Sequence, residues 1–420
     1  MNSIAFVAAH DSEFKWAAQI AAEFEANGWN VDFYSPGQAL KISEEQLHDC
    51  GLCLERVQCV AEEEIFASLV GRDAAVVCLP GPRTEAVLYR AREFFAREVR
   101  PVFVTGFVGI NIKALYSAFL QRSSADILCV NSQNDYDVYT TICRALDINT
   151  AFLHLTGLGI LPPGECSSPK EKIRRVVFAD QVAIPSKRIE RRIVYKRLCD
   201  LAVARPDLEI VIKPRHRPGE STSHPGKYPP ETFFESFSAP DNVLFDYTPL
   251  SEQFSHTELL ITVSSTAAFE ALAYGVKVAI VGDLGISESY GNHIFLESGL
   301  IRTFDQIIQN DLGAPCQSWL QQYSLSLKPT QEIFNAVSAM VEKKRITREY
   351  TFSESSYFTS RILYYQNRQE LRIPEKTYLQ KRVDRYGFTL GIFYRFGELL
   401  LPPLIGRYLL KFLTRLHIYS

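Results

Sequence analysis

The chain alternates between short apolar runs and longer stretches in which apolar positions recur every three or four residues. The first run, over 3–9, is strand-like and leads through His10-Asp11-Ser12-Glu13 into a helical stretch over 14–27. Gly28 follows as the expected C-cap, where a left-handed residue closes a helix, and a second strand over 31–34 comes directly after it. Strand, helix, glycine, strand predicts a β-α-β unit on a parallel sheet. Further strand-like runs over 74–79, 101–104 and 126–130 alternate with helical segments, the clearest over 85–97.

Residues 161–172 hold three prolines, a glycine and two serines, the composition of an exposed connection between domains. The alternation then restarts. Strands are expected over 175–178, 209–213, 243–245, 259–263 and 277–281, with helices over 188–204 and 266–274. Helical pattern continues from Thr330 to about Gln369. The fold class expected is therefore α/β, with two Rossmann-like doubly wound lobes facing a cleft and a helical, basic amphipathic tail. The domains expected are 1–165, 173–335, a helical segment over 336–377 and a tail over 378–420.

Composition narrows the function. With 46% hydrophobic and 22% charged residues, the 420-residue chain is neither disordered nor fibrous. A net charge of -3 argues against a nucleic-acid partner but hides an asymmetry: the tail carries seven basic side chains against two acidic ones. Its apolar run is broken by Pro402, Pro403, Gly406 and Arg407, too short to span a bilayer and suited to lying on an anionic membrane surface. Nine scattered cysteines, mostly in apolar runs, are expected to be buried and reduced, and Cys50 with Cys53 lacks the second pair that a zinc ribbon requires. The N-terminus has no basic n-region, so the expected location is cytoplasmic, peripheral at the inner face of the membrane.

Two polar constellations stand at expected strand ends. Lys213-Pro214-Arg215-His216-Arg217-Pro218 gathers three fixed positive charges and an imidazole between prolines. Ligands of open α/β sheets lie beyond the carboxyl ends of strands, so this cluster predicts an anion site rather than a solvated loop. Ser264, Ser265 and Thr266 precede a helix, where hydroxyls either cap the first turn or hold a phosphate. Glu270 follows on that helix, either as a ligand-facing carboxylate or as a capping acid. Asn292 and His293, after another strand, either reach the same cleft or build a turn.

Strand, the K-P-R-H-R-P loop, and S-S-T followed by F-E-A-L-A-Y-G-V-K-V-A-I-V-G resemble the donor-binding half of bacterial GT-B glycosyltransferases. Within them the pattern, over 174–299, is most similar to capsule and lipopolysaccharide enzymes that use CMP-activated acidic sugars, the sialyltransferases and Kdo transferases. The resemblance implies a His-Pro motif and a Ser/Thr pair holding CMP. Ser264 and Ser265 match the pair; the histidine is either His216, with Arg217 before Pro218, or His224 before Pro225. With the two strand-end clusters and Asn292 added, the expected donor set is Lys213, Arg215, His216, Ser264, Ser265, Thr266, Glu270 and Asn292, Glu270 standing where a nucleotide-sugar transferase typically has a carboxylate that grips ribose hydroxyls. The acceptor would be an oligosaccharide, glycolipid or polysaccharide.

Glycosyl transfer also needs an acid-base partner from the facing lobe. His10 and Asp11, at the end of the first strand, are the expected catalytic residues together with His216; Glu85 and Asp135 compete, and a retaining reaction would use such a carboxylate as nucleophile. Asp11 or Ser12 alternatively caps the helix. No cofactor beyond the nucleotide-sugar substrate is implied, and no metal, because no Asp-x-Asp pair sits convincingly at a strand end. Two other readings of the same pattern are a nucleotide-sugar epimerase or polyol-phosphate transferase, and a noncatalytic scaffold of a glycan assembly complex.

Overall fold

In the computed structural model, which describes residues 1–96, 99–111, 115–159, 174–217, 228–234, 236, 239–323 and 328–348, the apolar runs become two all-parallel sheets. The first contains β1 (Ser3–Val7), β2 (Asn30–Pro36), β3 (Val57–Val60), β4 (Ala74–Val77), β5 (Val102–Gly106), β6 (Ile127–Val130) and β7 (Leu153–Leu155), in the order β3-β2-β1-β4-β5-β6-β7. The second contains β8 (Arg175–Ala179), β9 (Glu209–Lys213), β10 (Val243–Phe245), β11 (Leu259–Thr262), β12 (Lys277–Val281) and β13 (Ile301–Arg302), in the order β10-β9-β8-β11-β12-β13. Both orders reverse once, between β1 and β4 and between β8 and β11. Such switch points leave a crevice at the carboxyl ends of the strands.

The central strands are buried on both faces, which is why they read as continuous apolar runs: all four residues of β4 and all four of β6 are buried. Helices cover them. The Asp11–Ala26 helix buries Phe14, Trp16, Ile20 and Phe24, and the Phe24 ring meets Trp29 edge-on at 5.1 Å.

The Pro329–Thr347 helix follows the second lobe in sequence yet packs against the first. Its buried Ile333, Val337 and Val341 recur every four residues, and Phe334 lies 5.1 Å from Phe24. Lys344 pairs with Asp126 at 3.0 Å and Arg345 with Asp73 at 2.7 Å. This helix runs without interruption across the expected boundary at 335/336. The expected linker, the helical pattern beyond 348 and the tail over 378–420 lie outside the described residues. Among the described residues no helix is long and apolar enough to cross a membrane.

The described cysteines are all free, but not all buried. Cys78, Cys129, Cys143 and Cys199 are buried, whereas Cys53, Cys59 and Cys316 are exposed; Cys59 sits on the edge strand β3, where it and its neighbour Gln58 are both exposed.

Candidate functional site

A cavity of about 380 Å³ opens where the carboxyl ends of the two sheets face each other. The segments after β8, β9 and β11 line it from one side, and those after β1 and β5 from the other. Of the residues singled out by sequence, Asp11, Lys213, Arg215, His216, Ser265, Thr266 and Glu270 line it, and so does Arg217. His10, Ser264 and Asn292 do not.

On the first lobe, the turn between β1 and its helix is fixed by Glu13. Its Oε2 accepts from the backbone N–H groups of Ala9 at 2.8 Å and His10 at 3.1 Å. Burial pushes the Glu13 carboxyl up to about 7 against those two hydrogen bonds. His10, rather than Asp11 or Ser12, is the N-cap residue, so Asp11 begins the helix and projects into the cavity. Glu85 and Asp135 lie away from the cavity, on the Gly81–Phe94 and Gln133–Ala145 helices. Asp135 is buried and raised to about 6 by that burial.

On the second lobe, β9 delivers its cations at the strand end. Lys213 Nζ donates to the Pro214 carbonyl at 2.8 Å, and burial, then the nearby Arg215 charge, lower it to about 8. His216 Nδ1 lies 3.0 Å from the Arg217 carbonyl. A carbonyl only accepts, so Nδ1 carries a proton and Nε2 is the nitrogen left to exchange one.

The turn after β11 is more occupied than its composition suggests. Ser264 N–H donates to Gln181 Oε1 at 2.9 Å, and its hydroxyl donates to the Tyr290 carbonyl at 2.5 Å. Ser265 N–H donates to Thr262 Oγ1 at 3.3 Å, and Ser265 Oγ accepts from Ala267 N–H at 3.2 Å. What this turn presents to the cavity is therefore the edge formed by Ser265 and Thr266. Asn292 is fully buried: its amide donates to the Gly285 carbonyl at 2.9 Å and accepts from Ser287 N–H at 3.0 Å. It builds a turn. His224 lies outside the described residues.

Ion pairs cross the cleft. Arg215 Nη2 meets Asp11 Oδ2 at 2.6 Å, Lys15 Nζ meets Glu270 Oε2 at 2.6 Å, and Arg217 Nη1 meets Glu45 Oε1 at 3.2 Å. Lys15 had no sequence signal, being one lysine on an amphipathic helix. The loop after β5 was also silent. Asn131 donates to the carbonyls of Phe107 at 2.9 Å and Gly109 at 3.0 Å, and a Cβ on Gly109 would stand 3.1 Å from Thr266 Oγ1. Glycine thus lets the lobes touch at the cavity floor. Among the described residues, no three His, Cys, Asp or Glu side chains gather as metal ligands.

Residues 4–340 match the model of a family described as "Putative glycosyltransferase (DUF6716)". No curated protein matches the chain. Among solved structures, the fold is similar to that of Arabidopsis thaliana UGT89C1 complexed with UDP, at 10% identity and a TM-score of 0.54 over 81% of this chain and 100% of that one. It is also similar to a UDP-N-acetylglucosamine 2-epimerase, at 12% identity and a TM-score of 0.53 over 84% of this chain and 98% of that one.

Proposed function

The chain belongs to this DUF6716 glycosyltransferase family, and from that premise we propose that it transfers an acidic, CMP-activated sugar to a glycan acceptor at an anionic membrane surface. The observation that carries the reading is the meeting of Lys213, Arg215 and His216 with Asp11 in one cavity between the lobes. A CMP-linked acidic sugar brings two anions, a phosphodiester and a carboxylate. Lys213 and Arg215 supply cations for both, Arg215 with the planar fork that suits either group. Ser265 and Thr266 add hydroxyls at the cavity edge, and Glu270 holds ribose hydroxyls.

In the transfer, the acceptor oxygen bonds to the anomeric carbon as the bond from that carbon to the phosphate oxygen breaks. The nucleotide leaves with the bonding electrons, neutralised by Arg215 and by His216 once Nε2 is protonated. The acceptor proton passes to Asp11, the carboxylate of the opposite lobe that lines the cavity. His10 stands beside it as the N-cap residue, outside the cavity lining, which leaves Asp11 as the proton acceptor. The acceptor is an oligosaccharide, glycolipid or polysaccharide, no metal takes part, and the protein works in the cytoplasm.

Calorimetric titration of the full chain with CMP, CDP and UDP tests the donor. The expected result is a preference for CMP of about tenfold or more, equivalent to ~1.4 kcal/mol. Tighter binding of UDP replaces the CMP reading with a UDP-linked donor, the nucleotide held by the Arabidopsis protein of similar fold.

A further inference from the structure

One helical turn of the first lobe holds two residues of the second in ion pairs of opposite polarity. Asp11 Oδ2 accepts from Arg215 Nη2, and four residues on Lys15 Nζ donates to Glu270 Oε2, both at 2.6 Å. Residues four apart share a helix face, so the acid and the base address the cavity together. The match is specific, because a helix carrying two acids or two bases here would repel either Glu270 or Arg215. The pairs also differ in strength. The Glu270 side chain is only 10% exposed, and a carboxylate so buried needs a partner; Arg215 is 49% exposed and its pair is easily exchanged.

Resting on the nucleotide reading above, we infer that Asp11 and Lys15 form a two-point latch that occupies Arg215 and Glu270 in the nucleotide-free enzyme, so that an arriving nucleotide competes with the enzyme's own first lobe. A phosphate oxygen replaces the Asp11 carboxylate on Arg215, and ribose hydroxyls replace the Lys15 ammonium on Glu270. No covalent bond changes. The exchange has a consequence for catalysis: the Asp11 carboxylate becomes available to an acceptor hydroxyl only after the donor has taken Arg215. The latch thereby holds the proton acceptor back until a donor is present, and it holds the two lobes together in the meantime.

The test is calorimetric titration of the full-length protein and of Asp11→Ala, Lys15→Met and the double variant, with whichever of CMP, CDP and UDP binds wild type tightest. Each single variant is expected to bind that nucleotide about two- to fivefold tighter, the range of a partly exposed pair, and the double variant tighter still. Small-angle scattering without nucleotide should show a larger radius of gyration for the double variant. Weaker binding by Lys15→Met makes Lys15 a ligand contact and overturns the latch; unchanged affinity in both single variants overturns it as well. Arg215→Met and Glu270→Gln separate loss of the nucleotide site from loss of the latch. If neither loses affinity, the nucleotide is not held here and the functional reading fails. If they lose affinity while Asp11→Ala and Lys15→Met do not tighten binding, the latch alone fails.

Discussion

The Ser264 hydroxyl donates to the Tyr290 carbonyl at 2.5 Å, and this bond divides the serine pair into two unlike residues. Ser264 is 3% exposed and braces the turn, while its neighbour Ser265 lines the cavity. Ser264→Ala takes the donor from the half-buried Tyr290 carbonyl and should cost about 1 kcal/mol of stability with nucleotide affinity unchanged. Ser265→Ala should do the reverse, weakening nucleotide binding by about 1 kcal/mol with a smaller effect on melting. Thermal denaturation beside calorimetry reads both; equal affinity losses in the two variants would return Ser264 to the ligand site.

Lys213 gives the site a pH dependence. Its folded value, about 8, lies below the ordinary 10.5, because burial and the Arg215 charge disfavour the ammonium. A depressed folded value contributes stability above pH 10.5 that is lost as pH falls through about 8, so at neutral pH the charged Lys213 destabilises the free protein. Nucleotide binding needs that charge and should weaken as pH rises through about 8. Lys213→Met should stabilise the free protein at pH 7 by about 1–3 kcal/mol, lose nucleotide affinity, and abolish the step near pH 8. Affinity that is flat from pH 7 to 9 in wild type would remove Lys213 from the nucleotide site.

Glu13 titrates in the opposite sense. Burial raises its folded value from 4.5 to about 7, so its stabilising contribution is complete below pH 4.5 and is lost as pH rises through about 7. Glu13→Gln keeps an oxygen that accepts from Ala9 and His10 but cannot ionise. Denaturant unfolding at a series of pH values should therefore show a flatter stability profile for the variant between pH 4.5 and 7. Above pH 7 it should gain on the order of 3 kcal/mol at most over wild type. Parallel profiles for the two proteins would mean that Glu13 does not titrate in this window.

What was legible in the sequence follows from how many neighbours a segment has. Strands packed on both faces, such as β9 and β12, announce themselves as apolar runs, and the Arg188–Ala204 helix between two such strands matches its expected bounds. The edge and short strands β3, β7 and β13 did not, because Gln58, His154 and Arg302 interrupt runs of only two to four residues. The cation cluster was legible because position after a strand end predicts where it points. Asn292 misled for the same reason: it too follows a strand, but its amide turns inward to Gly285 and Ser287. Lys15 was invisible, since its role depends on Glu270, 255 residues away, and no local pattern encodes a contact between two lobes.

The tail over 378–420 carries the proposed membrane contact, and its chemistry makes that contact testable. Phe388, Leu390, Ile392, Phe393 and Phe396 form one apolar group and Leu409, Leu410, Phe412 and Leu413 another, with Lys381, Arg382, Arg385, Arg395, Arg407, Lys411 and Arg415 distributed among them. Apolar insertion and attraction to anionic lipid then reinforce each other, each basic residue near the surface adding about 1 kcal/mol. Full-length protein should sediment with vesicles containing phosphatidylglycerol and not with phosphatidylcholine alone. Raised salt should weaken its binding, because screening acts on the charge component first. A chain ending at 377 should lose vesicle binding and keep its nucleotide affinity, since every described residue lining the cavity precedes Ala271. A helix with an apolar stripe can instead pack on its own protein. In that case full-length protein ignores the vesicles at low salt, or truncation lowers the melting temperature of the remaining chain, and the tail is a structural clasp.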